Sequence, residues 1–197
     1  MPSPERLTPG RTALMLLAAG RSTRFGDADK LAAPVLGLPL GLHVATALAD
    51  IPFAARIAVC GDTALDYAAH GFRVVHNPRA AEGASGSVRL GVAAARASGC
   101  DAVLVALADM PRVSAAHIRR LFDASDGATS VIASSDGHRP SPPALFGAAH
   151  FDTLAALTGD HGARHLIQTG RHVVASADDL IDIDTAADLA ALHGSFS

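Results

Sequence analysis

The chain has 197 residues, of which 49% are hydrophobic and 18% are charged, and its formal net charge is −3 at pH 7. This length predicts one domain, which we place at residues 12–193 with flexible ends at 1–11 and 194–197. Without an overall basic field no nucleic-acid partner is expected, and no apolar run approaches the ~18 residues of a membrane span. We therefore expect a soluble, cytoplasmic protein.

Short apolar runs alternate with alanine-rich stretches along the whole chain. The apolar runs predict strands and the alanine-rich stretches predict helices. The predicted strands are 13–19, 56–60, 72–76, 102–107, 130–134 and 172–175. The predicted helices are 39–49, 63–70, 87–97, 114–124, 163–169 and 186–192. The alternation implies a mostly parallel sheet with helices on both faces, a Rossmann-like α/β/α sandwich. The polar, proline-rich stretch 136–143 predicts a loop near the site.

A glycine-containing loop with three cations follows the first predicted strand. It begins at Gly20 and includes Arg21, Arg24 and Lys30. Backbone amides freed by small residues, together with guanidinium and ammonium groups, suit a polyphosphate. The loop is not a Walker loop, because five residues separate Gly20 from Gly26 and Leu31 follows the lysine; it also lacks the G-x-G-x-x-G dinucleotide pattern. It therefore predicts a nucleoside triphosphate site at the carboxyl end of the first strand, in preference to a simple glycine turn with solvated charges.

Carboxylates occur at two further places where a metal ligand is expected. Asp109 ends the apolar run 102–107, and a carboxylate there needs water, a partner or a metal. A turn or helix-capping aspartate is the structural alternative. Beside a triphosphate loop, Asp109 is a candidate Mg²⁺ ligand. Either Asp182 or Asp184 could supply a second carboxylate, and their spacing does not choose between them.

Two predicted helix starts have polar residues that could be structural or functional. Small residues around Gly83 would let a base or ribose approach the backbone closely. Ser87 could contact that ligand or cap the helix, and the sequence favours neither. Thr185 with Asp188 predicts a capping box, which is a structural role.

Three groups of residues together resemble a known family. The segment 17–26 with Lys30 resembles the signature loop of nucleotidyltransferases that attach a nucleoside monophosphate to a phosphate. The segments 107–111, 159–164 and 182–185 are similar to those of molybdenum cofactor cytidylyltransferases. The resemblance runs in collinear order over residues 13–192. It implies a Rossmann-like fold and Mg²⁺-dependent transfer of CMP from CTP to molybdopterin phosphate, with release of pyrophosphate. Ala19 favours CTP, because guanylyl-transferring relatives usually carry glycine there.

The same resemblance implies roles for individual residues and partners. Carried over by position, the catalytic residues are Arg24, Lys30 and Asp109; the nucleotide-binding residues are Ala18, Ala19, Gly20, Arg24, Lys30, Gly83 and Ser87; the acceptor-binding residues are Asp160 and Arg164; and the metal ligands are Asp109 with Asp182 or Asp184. The implied partners are CTP or another NTP, a molybdopterin-type acceptor and a molybdenum hydroxylase of the xanthine dehydrogenase type. The alternatives are a nucleotidyltransferase for a sugar or polyol phosphate, and a non-catalytic molybdenum-cofactor carrier.

Overall fold

The computed structural model describes residues 6–20, 29–159 and 163–194. The strands are β1 (Thr12–Ala18), β2 (Pro34–Val35), β3 (Leu38–Pro39), β4 (Ala55–Cys60), β5 (Arg73–His76), β6 (Ala102–Leu107), β7 (Val131–Ser135), β8 (Pro140–Gly147) and β9 (Arg171–Val174). The α-helices are α1 (His43–Ala47), α2 (Ala84–Ala97), α3 (Ala115–Asp123), α4 (Phe151–Ala155), α5 (Arg164–Thr169) and α6 (Ala186–Gly194). Within the described residues, no helix is both long and apolar enough to cross a membrane.

Seven of the described strands form one sheet in the order β5-β4-β1-β6-β8-β7-β9, and β2 pairs with β3 in a separate hairpin. The pairs β5–β4, β4–β1, β1–β6 and β7–β9 are parallel. Strand β8 runs antiparallel to both of its neighbours, β6 and β7. The predicted mostly parallel sheet is therefore confirmed.

The core lies on both faces of this sheet. Leu14 and Leu16 of β1 pack with α1 and α3 on one face. Met15, between them in sequence, packs with α2, α4 and α5 on the other face. Successive side chains of a strand point to opposite faces, so a strand covered on both sides is apolar at every position. This three-layer arrangement is the predicted sandwich. Because β1 and β6 are continuous apolar runs, the predicted bounds of both strands agree with the structure to within one residue.

The sequence predicts a loop over the whole proline-rich stretch 136–143. This prediction is wrong for its second half, because β8 begins at Pro140. Strand β6 pairs with β8 only from Ala102↔Gly147 to Val105↔Ala144. Pro142 and Pro143 thus lie beyond the paired part of β6, where their missing N–H groups cost no hydrogen bond to that strand. Prolines that normally argue against a central strand are tolerated here because β8 extends past its neighbour.

Two further expectations are corrected by local contacts. The predicted helix 63–70 is only a 3₁₀ turn at Ala68–His70. Tyr67 is fully buried, and its hydroxyl donates to the Gly41 carbonyl (3.1 Å), which draws this segment towards the core. The expected flexible end does not include residues 6–11, since Leu7 packs into the core and its N–H donates to Ser125 Oγ (3.1 Å).

Candidate active site

The site forms where β1 and β6 end side by side. Their register aligns Leu17 with Leu107, and the Ala108 N–H continues the pairing to the Leu17 carbonyl (3.0 Å). Asp109 follows at once, so its carboxylate lies at the carboxyl edge of the sheet. The Ile183 N–H donates to the Asp109 carbonyl (3.0 Å) and brings the segment before α6 to the same edge. The parallel strands thus bring together residues that are far apart in sequence.

One ammonium group joins two carboxylates at this edge. Lys30 Nζ lies 2.8 Å from Asp109 Oδ2 and 3.3 Å from Asp184 Oδ1. The lysine side chain is only 7% exposed, whereas that of Asp184 is 48% exposed, so the cluster opens to solvent on the Asp184 side. Burial alone would lower the pKa of Lys30, but the charges and hydrogen bonds of the two carboxylates outweigh it and raise the pKa. The lysine is therefore cationic at neutral pH.

The structure distinguishes the two aspartates that the sequence left equivalent. Asp184 reaches the same ammonium as Asp109, so their carboxylates are neighbours. Asp182 is exposed, and partial desolvation of its carboxyl together with the negative charge of Asp184 raises its pKa.

The predicted capping box is confirmed, because Asp188 Oδ2 accepts the Thr185 N–H (2.7 Å) and Thr185 Oγ1 accepts the Asp188 N–H (3.1 Å). This box fixes the backbone directly after Asp184.

Asp29 holds the turn that carries Lys30, a role that the sequence analysis missed. Its Oδ1 accepts the Leu31 N–H (3.0 Å) at the start of the 3₁₀ turn Lys30–Ala32. Its Oδ2 accepts the Thr63 hydroxyl (2.7 Å) and the Ala64 N–H (3.0 Å). Both oxygens are thus used to join this turn to the segment after β4. An aspartate directly before the predicted phosphate-binding lysine was the available signal, since aspartate is a preferred cap.

A cavity of about 470 Å³ opens beside the cluster. It is lined by Leu17, Ala19, Gly20, Ala80, Ala81, Gly83, Ala84, Ser87, Leu107 and Asp109. Four predicted nucleotide-binding residues, at positions 19, 20, 83 and 87, therefore share one cavity with Asp109. Ala18 differs, because its side chain belongs to the buried core. Gly83 has φ +106°, which residues with a side chain rarely adopt, so a glycine is favoured at this wall.

The first turn of α2 explains the position of Ser87. The helix begins at Ala84, three residues earlier than predicted, and Gly83 precedes it without a side-chain cap. Ser87 is therefore not the cap. Its hydroxyl accepts a hydrogen bond from the buried Asn77 amide (2.9 Å), which joins the first turn of α2 to the segment after β5.

Among the described residues, the predicted site residue Arg164 is not brought into the cluster. Arg24 and Asp160 lie outside the described residues. Arg164 is exposed and is the first residue of α5. Across the described ranges, no group of three or more His, Cys, Asp or Glu side chains gathers as a metal cage. A metal ion here would need oxygen ligands from a bound phosphate, as Mg²⁺ sites commonly use.

Comparison with known proteins agrees with this geometry. Residues 14–176 match the family described as the MobA-like NTP transferase domain. The chain is 31% identical over 188 residues to the purine catabolism protein PucB of Bacillus subtilis (strain 168), covering 87% of this chain and 90% of that protein. A Mycobacterium tuberculosis H37Rv protein in complex with manganese is 26% identical, with a TM-score of 0.74 over 94% of this chain and 99% of its own.

A third comparison concerns the fold alone. The molybdopterin-guanine dinucleotide biosynthesis protein A of Archaeoglobus fulgidus has a TM-score of 0.68 over 93% of this chain and 98% of its own, at 15% identity. The family match covers most of the chain and includes both carboxyl-edge segments after β1 and β6. The chain therefore belongs to the MobA-like family of nucleotidyltransferases.

Proposed function

We propose that the protein transfers CMP from CTP to the phosphate of a molybdopterin-type acceptor and releases pyrophosphate. The observation that carries the proposal is the cluster of Lys30, Asp109 and Asp184 beside the glycine-lined cavity. A cation and two carboxylates at the edge of a polyphosphate-sized cavity suit charge-stabilised phosphoryl chemistry. Ala19 in the cavity wall supports cytidine as the base, as the family resemblance implies.

The proposed reaction needs positioning more than a side-chain nucleophile. An oxygen of the acceptor phosphate attacks the α-phosphorus of CTP, and the bond from that phosphorus to the bridging oxygen of pyrophosphate breaks. The acceptor phosphate is already ionised, so no general base is needed. Gly20 offers a backbone amide, and Lys30 with Arg24 would neutralise the charge that develops on the leaving pyrophosphate.

The residues at this edge fit a divalent metal ion. Asp109 Oδ1 is buried and has no hydrogen-bond partner among the described residues, and Oδ2 faces the ammonium group that also contacts Asp184. Asp109 and Asp184 would hold Mg²⁺, and Asp182 is the less favoured second ligand because it lies outside the contact with Lys30. When bound, Mg²⁺ would neutralise phosphate charge. The manganese complex of the mycobacterial relative supports a metal-dependent site.

The acceptor, partner and location are the finer parts of the proposal. The family name and the fold of the Archaeoglobus protein support a molybdopterin-type acceptor. Asp160 and Arg164 would contact that acceptor. A molybdenum hydroxylase of the xanthine dehydrogenase type would receive the product in the cytoplasm.

A turnover screen tests the proposal. Purified protein is incubated with Mg²⁺, one of CTP, GTP, UTP or dTTP, and molybdopterin, a sugar phosphate or a polyol phosphate, and pyrophosphate release is measured. We expect release with CTP and molybdopterin above all other pairs. Turnover with a sugar or polyol phosphate would reassign the acceptor, and CTP binding without any turnover would favour a carrier. The same mixture without protein is the control for background release.

A further inference from the structure

Lys30 occupies the position of a counter-cation between the two carboxylates. Its ammonium lies within 3.3 Å of an oxygen of each, and no other cation is within salt-bridge distance of Asp109 among the described ion pairs. Lys30 is also the only lysine among the 16 lysines and arginines of the chain. An ammonium group is a compact point charge with three donors, whereas a guanidinium is a planar fork. The single ammonium side chain of the sequence thus lies where a small cation would.

We infer that Lys30 is an internal competitor of the metal ion. In the nucleotide-free protein its ammonium holds the place between Asp109 and Asp184 that a divalent cation requires, and the nucleotide phosphates draw the ammonium away. The inference rests on the proposed function, in which the same two carboxylates hold the metal. It also gives the order of binding: nucleotide binds first, and the two carboxylates then become available to the metal ion.

The charges of the cluster give the physical reason. Two carboxylates are neutralised in part by one ammonium, and a divalent ion placed a few ångströms from that ammonium would be repelled by it. The triphosphate of a nucleotide gives the lysine a new set of anionic partners at the same edge. Asp184 is half-exposed, so the contact between it and Lys30 can open without disrupting the core.

Binding of Mn²⁺ to the nucleotide-free protein tests the inference. Lys30→Met removes the competing charge at similar length, and we expect it to bind Mn²⁺ about 10- to 100-fold more tightly than the wild type, as removal of one nearby unit charge predicts. Arg73→Met is the matched control, because Arg73 is an exposed cation on β5. The control should leave the affinity unchanged. Equal Mn²⁺ affinity in the wild type and Lys30→Met would overturn the inference.

A second test of the inference uses the wild-type protein and needs no variant. With ¹⁵N at lysine Nζ, the single lysine gives a single side-chain resonance. We expect Mg²⁺ alone to leave this resonance in place and CTP with Mg²⁺ to move it. An equal displacement by Mg²⁺ alone would contradict the inference.

The two hypotheses fail in different ways. Absence of metal binding and of pyrophosphate release in the presence of CTP would refute the proposed function. Metal binding and turnover with CTP, but an unchanged affinity in nucleotide-free Lys30→Met, would refute only the competition by Lys30.

Discussion

The two halves of the sheet use their polar residues in opposite ways. In the parallel half, Asp109 stands at the carboxyl end of β6 with one oxygen on Lys30 and the other without a described partner. In the other half, the Ser134 hydroxyl of β7 donates to the Pro143 carbonyl of β8 (2.7 Å) and lies 2.7 Å from His117 Nε2. All of these groups in the second half are enclosed by protein.

From this difference we expect the polar residues of the parallel half to serve the reaction and those of the other half to stabilise the fold. A serine hydroxyl has one proton, so Ser134, which donates to Pro143, must accept from His117 Nε2–H. Burial lowers the pKa of His117, so the neutral ring donates to Ser134 on β7, and Ser134 in turn donates to β8. Asp109 Oδ1 at the open edge lies beside a cavity and can meet a ligand, whereas the Ser134 hydroxyl is satisfied by Pro143 and His117 Nε2, and His117 Nδ1, which has no described partner, is buried in protein. Variants should accordingly affect turnover in the first half and stability in the second.

The largest expected effect is on Lys30. Lys30→Ala should lower the rate of pyrophosphate release by about 10³-fold, because charge stabilisation of the leaving group is lost. Lys30→Arg restores the charge but not the compact ammonium, so it should recover only a small fraction of the rate. Initial rates at saturating CTP measure both. Near wild-type turnover of Lys30→Ala would remove this residue from the site.

A smaller effect, on stability, is expected in the second half. Ser134→Ala removes the partner of two buried groups and should lower the free energy of unfolding by about 1–3 kcal/mol. Thr153→Ala, at an exposed position of α4, is the control. Urea unfolding measures the stability, and the rate per folded molecule should be unchanged. A loss of turnover without a loss of stability would show that the two halves are not separate.

Loss of a hydrogen bond to Asp29 is expected to lower turnover less than loss of Lys30 does, and to lower stability less than loss of Ser134 does. Thr63→Val removes the hydroxyl that donates to Asp29 Oδ2 while keeping the side-chain volume. We expect turnover to fall about tenfold through misplacement of Lys30, with little change in stability. Thr63→Ser keeps the donor and should restore the rate. Failure of serine to rescue would mean that the Asp29 contact does not position the lysine.

The smallest effect is a dependence of stability on pH. Burial lowers the pKa of His117, with the charge of Arg120 adding to it and that of Asp179 opposing it. A lowered pKa means that the unfolded chain binds the proton more readily, so this contribution to stability is present above the unfolded pKa of about 6.5 and is lost as the pH falls towards the folded pKa. His117→Gln, which keeps a donor for Ser134, should show a flatter pH dependence of unfolding between about pH 7 and 5. An unchanged slope would exclude His117 as the source.

Local sequence predicted the parallel half of the fold and several of the residues that the structure gathers at its carboxyl edge. Strand β6 and the aspartate after it could be predicted, because a strand covered on both faces is a continuous apolar run that stops abruptly. Strand β8 was missed because its prolines argue against a central strand, and only the shorter pairing with β6 makes them acceptable. Asp182 and Asp184 could not be separated from their spacing. The hydrogen bond from Ile183 to Asp109, a tertiary contact, sets which of them meets Lys30.

The most direct test of the account is the rate of pyrophosphate release from CTP with Mg²⁺ and molybdopterin, compared between the wild type and Asp109→Asn. This substitution keeps the side-chain shape and removes the charge that contacts Lys30. We expect turnover by the wild type, a loss of about 10²-fold or more in the variant, and a similar unfolding temperature for both. Equal turnover by two equally folded proteins would contradict the assignment of this edge of the sheet as the active site.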